Sequence, residues 1–206
     1  MRFKAHSSYK SKHIGLVHKE CIVYKFHGLT ESIFEKTRLD WEKELSSVKE
    51  VFSTVGYEQC LDSAELRLTK YSRDLVTMYC LSPAAVESGP AVALIDLVNA
   101  LPGHKESYIK LMALRMTPRL DSRMPITEKS DLLARHKEIA KIASFVVASV
   151  LEKALTESCQ KIKVFTTVQA DVNVLMTAAS SMDRTLLRSE NINVDTYGNW
   201  IEFSMI

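Results

Sequence analysis

The stretch "LLARHKEIAKIASFVVASVLEKAL", residues 132–155, decides how this chain is read. It holds neither glycine nor proline, and Ser130 and Asp131 ahead of it suit an N-cap and a first helical turn. On that reading one unbroken helix starts at Ser130. A second reading breaks it: Arg135-His136-Lys137-Glu138-Ile139-Ala140 has the outline of an anion-holding turn, with the helix starting at 141. Glycine in such a turn lets an anion approach the backbone, and here Glu138 stands in its place. Two like charges ~4 Å apart repel by about 4 kcal/mol at an effective dielectric near 20. Arg135 and Lys137 are placed to offset that, so a divergent working turn, an eroded one and a plain helix all stay open.

Outward from this stretch, composition narrows the class. A chain of 206 residues, 46% hydrophobic and 25% charged, suits one globular domain. Its net charge of +2 argues against broad capture of nucleic acid. Arg2, Lys4, Lys10, Lys12 and Lys19 concentrate positive charge at the start, so residues 1–19 are expected to form a basic extension to a single domain over 20–206. No apolar run reaches the ~18 residues of a membrane span, and no apolar core of a signal peptide follows the basic start. Cys21, Cys60, Cys80 and Cys159 are scattered without a Cys-x-x-Cys pair, and the histidines lack ligand spacing. Free thiols, no metal and a cytoplasmic location are therefore expected.

Periodicity supplies the elements. "ECIVYKF" (20–26) reads as a strand, and Ser32 with Glu35 has capping-box spacing at the front of a long helix through Phe34, Trp41, Leu45, Val48 and Phe52. Gly56 is expected as its C-terminal cap. "AELRLTKY" (64–71) and "DLVTMYCL" (74–81) read as a β-hairpin, and "PAVALIDLVNAL" (90–101) as a short apolar helix opened by Pro90. "SYIKLMALRMT" (107–117) is nearly continuously apolar, as a strand covered on both faces should be. "KIKVFTTV" (161–168) reads as a strand and "DVNVLMTAASSM" (171–182) as a helix. "LLRSENINV" and "NWIEFSMI" close the chain as a hairpin around Gly198. Alternating strands and helices predict an α/β domain with a mixed sheet and helices on its faces.

From residue 107 onward this order resembles the GNAT superfamily of N-acetyltransferases. The resemblance implies a mixed, mostly antiparallel central sheet with helices on both faces. In that fold a central strand splays from its neighbour and pairs its free backbone with the pantetheine arm of acyl-coenzyme A. The turn and helix start that follow bind the pyrophosphate. Carried onto this chain, the donor site would comprise Leu114, Arg115 and Met116 at the end of "YIKLMALRM", and the segment Arg135, His136, Lys137, Glu138, Ile139 and Ala140. The implied activity is acyl transfer from acyl-coenzyme A or acyl carrier protein to a small-molecule amine or a protein acceptor.

Acyl transfer needs a base, oxyanion donors and an acid for the leaving thiolate. The family often takes that acid from a tyrosine on the helix after "KIKVFTT"; none occurs over 170–185, and Ser180 and Ser181 stand nearest the place. Arg115, Arg119, Asp121 and Arg123 cluster beyond the end of the central strand, where ligands of open α/β sheets bind. Arg115 and Asp121 are thus candidates for catalysis. Arg119 and Arg123 could together grip a carboxylate or phosphate. His104 and Glu106 fall at the strand's other end, and Tyr197 reads as a packing residue. The layout also resembles acyl-homoserine-lactone synthases, which use S-adenosylmethionine. They place a short apolar helix before the central strand and a long polar loop after it, as "VALIDLVNAL" and "PRLDSRMPITEKS" suggest here. Of their Glu-x-Ser-Arg pattern only Arg115 remains. A binding module that kept the fold and lost the site is the third reading.

Overall fold

The computed structural model describes residues 24–48, 52–70, 76–84, 89–99, 107–121, 123–125, 129–157, 159–165 and 192–205. Its elements run β1 (Tyr24–Gly28), α1 (Glu31–Ser46), α2 (Val55–Lys70), β2 (Val76–Pro83), β3 (Ala93–Asn99) and β4 (Tyr108–Met116). A 3-10 turn (Pro118–Leu120), α3 (Lys129–Thr156), β5 (Lys161–Phe165), β6 (Ile192–Tyr197) and β7 (Trp200–Met205) follow. The seven strands form one sheet in the order β1-β2-β3-β4-β5-β7-β6. Only β4 and β5 pair in parallel among them.

Helices cover both faces, as the resemblance implied. On β3, Ala93, Ile95 and Leu97 join the core beneath α3, while Leu94 joins the core beneath α1 and α2. That period of two on a strand buried on both sides explains a correction. Of the residues read as a short helix over 90–101, those described, 90–99, are instead β3 and its approach, because a central strand needs a near-continuous apolar run. The layout argument for a lactone synthase, which rested on a helix there, loses this support.

Residues 64–71 are corrected too: they are not a strand of a hairpin but, as far as Lys70, the end of α2. Tyr57, Leu61, Ala64 and Leu68 recur every three or four residues and pack into one core, so the 3.6 period overrides the β-prone side chains. The helix read over 32–56 is two elements. Thr30, rather than Ser32, caps α1, its side chain accepting from Ile33 N at 3.4 Å, and Gly56 lies inside α2. Phe34, Trp41, Leu45 and Phe52 are nevertheless all buried in the core that α2 shares.

The opening stretch resolves as one rod. α3 runs unbroken over 28 residues, and its buried stripe, Ile142, Ala143, Val146, Val147, Val150, Leu151 and Ala154, begins only about halfway along. Arg135 to Ala140 are therefore no turn. Their backbone N–H groups lie in the helical repeat, where each is bonded to a carbonyl four residues back. At the chain's end β6 and β7 form the expected hairpin, and Gly198 takes a φ of +58° in its tight turn, where a side chain would be strained. The predicted helix over 171–182 and residues 1–19 lie outside the described residues.

Candidate functional site

The end of β4 is shaped by one extra residue. Asp96 pairs with Ala113 and Leu97 with Leu111, so Met112 bulges out of the ladder. Before the bulge, Ile109 and Leu111 point into the core under α3; after it, Leu114 and Met116 do. The odd-numbered Ala113 and Arg115 are thereby turned to the α2 side, where they line a cavity. Without the bulge Arg115 would face the aliphatic core. The same strand end is open on its other edge. Pairing with β5 stops at Leu111 and Val164, while β4 continues to Met116, with no partner on that side among the described residues.

Beyond β4 the chain is clasped from three elements. The Glu44 carboxylate of α1 accepts from Thr117 Oγ1 at 2.9 Å and from Arg119 N at 3.0 Å. Asp121 accepts from the Tyr57 hydroxyl at 3.2 Å and from Arg123 N, Nε and Nη2 at 2.7–2.9 Å. Burial alone would raise the Asp121 carboxyl, but these bonds outweigh it and hold the group below the usual carboxylate range. Burial, with the nearby Asp121 charge, pushes the Tyr57 phenol well above its ordinary value, so it stays a donor. Arg135 reaches back from α3 and donates to the carbonyls of Asp121 at 3.0 Å, Met124 at 2.9 Å and Pro125 at 3.4 Å.

These contacts redistribute the expected roles. Arg123 is paired to Asp121 within its own loop, so the grip imagined for Arg119 and Arg123 together is not formed; Arg119 keeps an exposed side chain. Arg135 acts as a clamp on the loop. His136, Lys137 and Ala140 are exposed and Glu138 and Ile139 half-buried along α3. Ser180 and Ser181 lie outside the described residues.

The cavity itself, of about 230 Å³, lies between α2 and the ends of β2, β3 and β4. Gly56, Cys60 and Asp96 line it with Ala113 and Arg115. Arg67 holds both Asp96 oxygens, at 2.6 and 2.7 Å. Burial raises the Asp96 carboxyl, against the pull of Arg67. Burial also pushes the Cys60 thiol up to about 11, which keeps it neutral. Arg115 lies over the Tyr57 ring, 5.2 Å from its centroid. Sequence reasoning singled out Arg115 and Asp121 but missed Gly56, Tyr57, Cys60, Arg67 and Asp96. One signal was there: Asp96 interrupts an otherwise apolar run, and a carboxylate inside such a strand needs a partner.

Elsewhere, Cys80 Sγ lies 3.6 Å from His27 Nδ1, which suggests a nucleophile with its base. The thiol is fully buried, however, and burial pushes it up to about 12, so it is inert packing. Among the described residues no group of three or more His, Cys, Asp or Glu is placed to hold a metal ion. No helix among them is long and apolar enough to cross a membrane.

No family model and no curated protein matches the chain. Solved structures do match in layout. A crystal structure of AtaTR bound with acetyl-CoA is 12% identical, covering 88% of this chain and 93% of its own, with a TM-score of 0.41. The NatC complex bound to Gag peptide and CoA gives 13% identity, coverage of 89% and 97%, and a TM-score of 0.40. A histone acetyltransferase HPA2 and related acetyltransferase from Corynebacterium glutamicum gives 10%, 90% and 98%, and 0.41. At such identities and scores the likeness is one of layout and says nothing of this chain's activity.

Proposed function

We propose that this protein transfers an acyl group from a thioester donor, acyl-coenzyme A or an acyl carrier protein, to an amine. One observation carries the reading: β4 runs five residues beyond its last pairing with β5, so the main chain of Met112–Met116 has an open edge among the described residues. An extended amide-bearing tail can pair with such an edge as an added strand would. Leu114, Arg115 and Met116 then give the donor site its backbone. The residues of 135–140 contribute through side chains only, and Arg135 indirectly, by fixing the loop that Asp121 anchors. Any anion seated by free amides belongs at the start of α3, near Lys129, rather than at 135–140. In this reading Ser180 and Ser181 are the hydroxyls considered for the leaving thiolate.

The test is titration calorimetry with acetyl-, butyryl- and octanoyl-coenzyme A and with an acyl carrier protein. Saturable binding of at least one donor is expected, followed by thiol release when an amine is added. Silence with all four overturns the proposal.

A binding module without catalysis is the second reading, and the unbroken α3 favours it, since Arg135 is already engaged. It predicts a donor-independent protein partner and no thiol release with any amine. Acyl-lactone made with S-adenosylmethionine, sought in extracts of an expressing strain, would instead revive the signal-synthase variant.

A further inference from the structure

The β4 bulge places a guanidinium in a cavity, where the described residues give it no anion to hold. Arg115 is half-buried, and among the described residues it makes no hydrogen bond or ion pair. Arg38, Arg67, Arg123 and Arg135 all donate to carboxylates or carbonyls. Taking such a cation partly out of water without an anion is unfavourable, and a ring face at 5.2 Å offsets only part of that. The surroundings keep the charge available. Asp96, the one carboxylate among the described lining residues, has both oxygens on Arg67, and Cys60 is a neutral thiol. Gly56 flanks the group closely: a Cβ there would stand in van der Waals contact with Arg115 Nη2, at 3.4 Å.

We infer that the Arg115 cavity binds the carboxylate of a small anionic molecule. Under the thioester-donor reading this molecule is the amine acceptor; that assignment rests on the reading, while the binding itself does not. The planar fork of a guanidinium, oriented by Tyr57, matches a carboxylate through two parallel bonds. The cavity, about 230 Å³, falls below the ~300–1,000 Å³ typical of sites for whole drug-sized ligands. It suits one end group against the apolar walls of Met78, Leu94 and Ala113. Those walls, and Arg115 as the one cation without a hydrogen-bonded partner among the described lining residues, favour a carboxylate over a phosphate.

The experiment is calorimetric titration of the full chain with L-glutamate, succinate and inorganic phosphate. It is repeated on Arg115→Gln, on Ala113→Leu, which fills the cavity and keeps the arginine, and on the surface control Arg38→Gln. Wild type is expected to bind at least one of the two carboxylates saturably. Arg115→Gln and Ala113→Leu should each weaken it by about tenfold or more, with Arg38→Gln unchanged. Thermal melting checks that each variant is folded, and if Arg115→Gln is not, Ala113→Leu decides. No carboxylate binding to wild type, equal binding after the deciding substitution, or tighter binding of phosphate overturns the inference. Acyl-coenzyme A and an acyl carrier protein titrated in parallel separate the claims: carboxylate failing while a donor binds sinks this one alone, and carboxylate binding while every donor fails sinks the donor reading alone.

Discussion

The two faces of the sheet are held by different physics. Under α3 the contact is aliphatic: Ile142, Val146, Val150 and Leu151 lie on Ile95, Leu97, Ile109, Ile162 and Val164, and hydrophobic burial accounts for it. Under α1 and α2 the contact is anchored by directional bonds. Ala91 is gripped at both backbone groups, its N–H donating to Thr37 Oγ1 at 2.8 Å and its carbonyl accepting from Trp41 Nε1 at 3.2 Å. Tyr57 continues the pattern to Asp121. The lesson is a division of labour: the aliphatic face tolerates repacking, while the polar face fixes the geometry around the Arg115 cavity.

The largest effect that tests this division is at Trp41, fully buried and edge-on to Tyr57 at a centroid distance of 5.8 Å. Trp41→Ala should cost about 3–5 kcal/mol in urea denaturation, whereas Ile142→Val on the other face should cost ~0.5–1.5 kcal/mol. Equal costs would break the comparison. Next comes Thr37→Val, which keeps the shape but strips the buried Ala91 N–H of its acceptor, at about 1–3 kcal/mol. Hydrogen exchange at Ala91 should rise with it. If stability and exchange stay at wild-type values, the anchor is not holding that face.

The same contrast governs what the sequence could reveal. β4 was legible because its side chains run nearly continuously apolar, and the later turns of α3 because they hold neither glycine nor proline; where α3 begins stayed open, and Ser130, read as an N-cap, lies inside the helix that starts at Lys129. β3 and α2 were exchanged for helix and strand. A short apolar run such as 90–101 carries no decisive period, and the face formed by Tyr57, Leu61, Ala64 and Leu68 was split by taking Gly56 as a terminus. At the site, Arg115 and Asp121 stood out from their place after the central strand. The Arg67–Asp96 pair and the Tyr57–Asp121 bond join residues 29 and 64 positions apart, and such contacts exist only once the sheet is assembled. The bulge at Met112 leaves no mark in sequence, yet it decides which way Arg115 points.

Two carboxylates on the polar face sharpen the comparison through pH. Asp121 is held below its ordinary value, so its contribution is present above the unfolded pKa, near 3.8, and is lost as pH falls through the lower folded value. Asp96 is raised by burial, so its contribution has the opposite sign: greatest below the unfolded value and declining as pH rises through the folded one. Asp121→Asn should therefore cost ~1–2 kcal/mol at neutral pH and progressively less toward acid. Asp96→Asn should steepen the fall in stability on acidification above pH ~3.8. Stability curves of the two variants that run parallel to wild type would contradict both assignments.

The smallest effect returns to the opening stretch. In a turn, Glu138→Gly would relieve crowding and charge and tighten the hold on an anion. Within α3, the same change removes a good helix former from a rod that is already continuous, and glycine adds backbone freedom to the unfolded chain. The expected outcome is a loss of about 1 kcal/mol with no gain in acyl-coenzyme A affinity. Because Glu138 lies before the buried stripe that begins at Ile142, the loss should stay local, as faster amide exchange over residues 131–141 with the later turns unchanged. Tighter donor binding without destabilisation would mean that these six residues leave the helix when a ligand arrives, and the rod would then be one of two states.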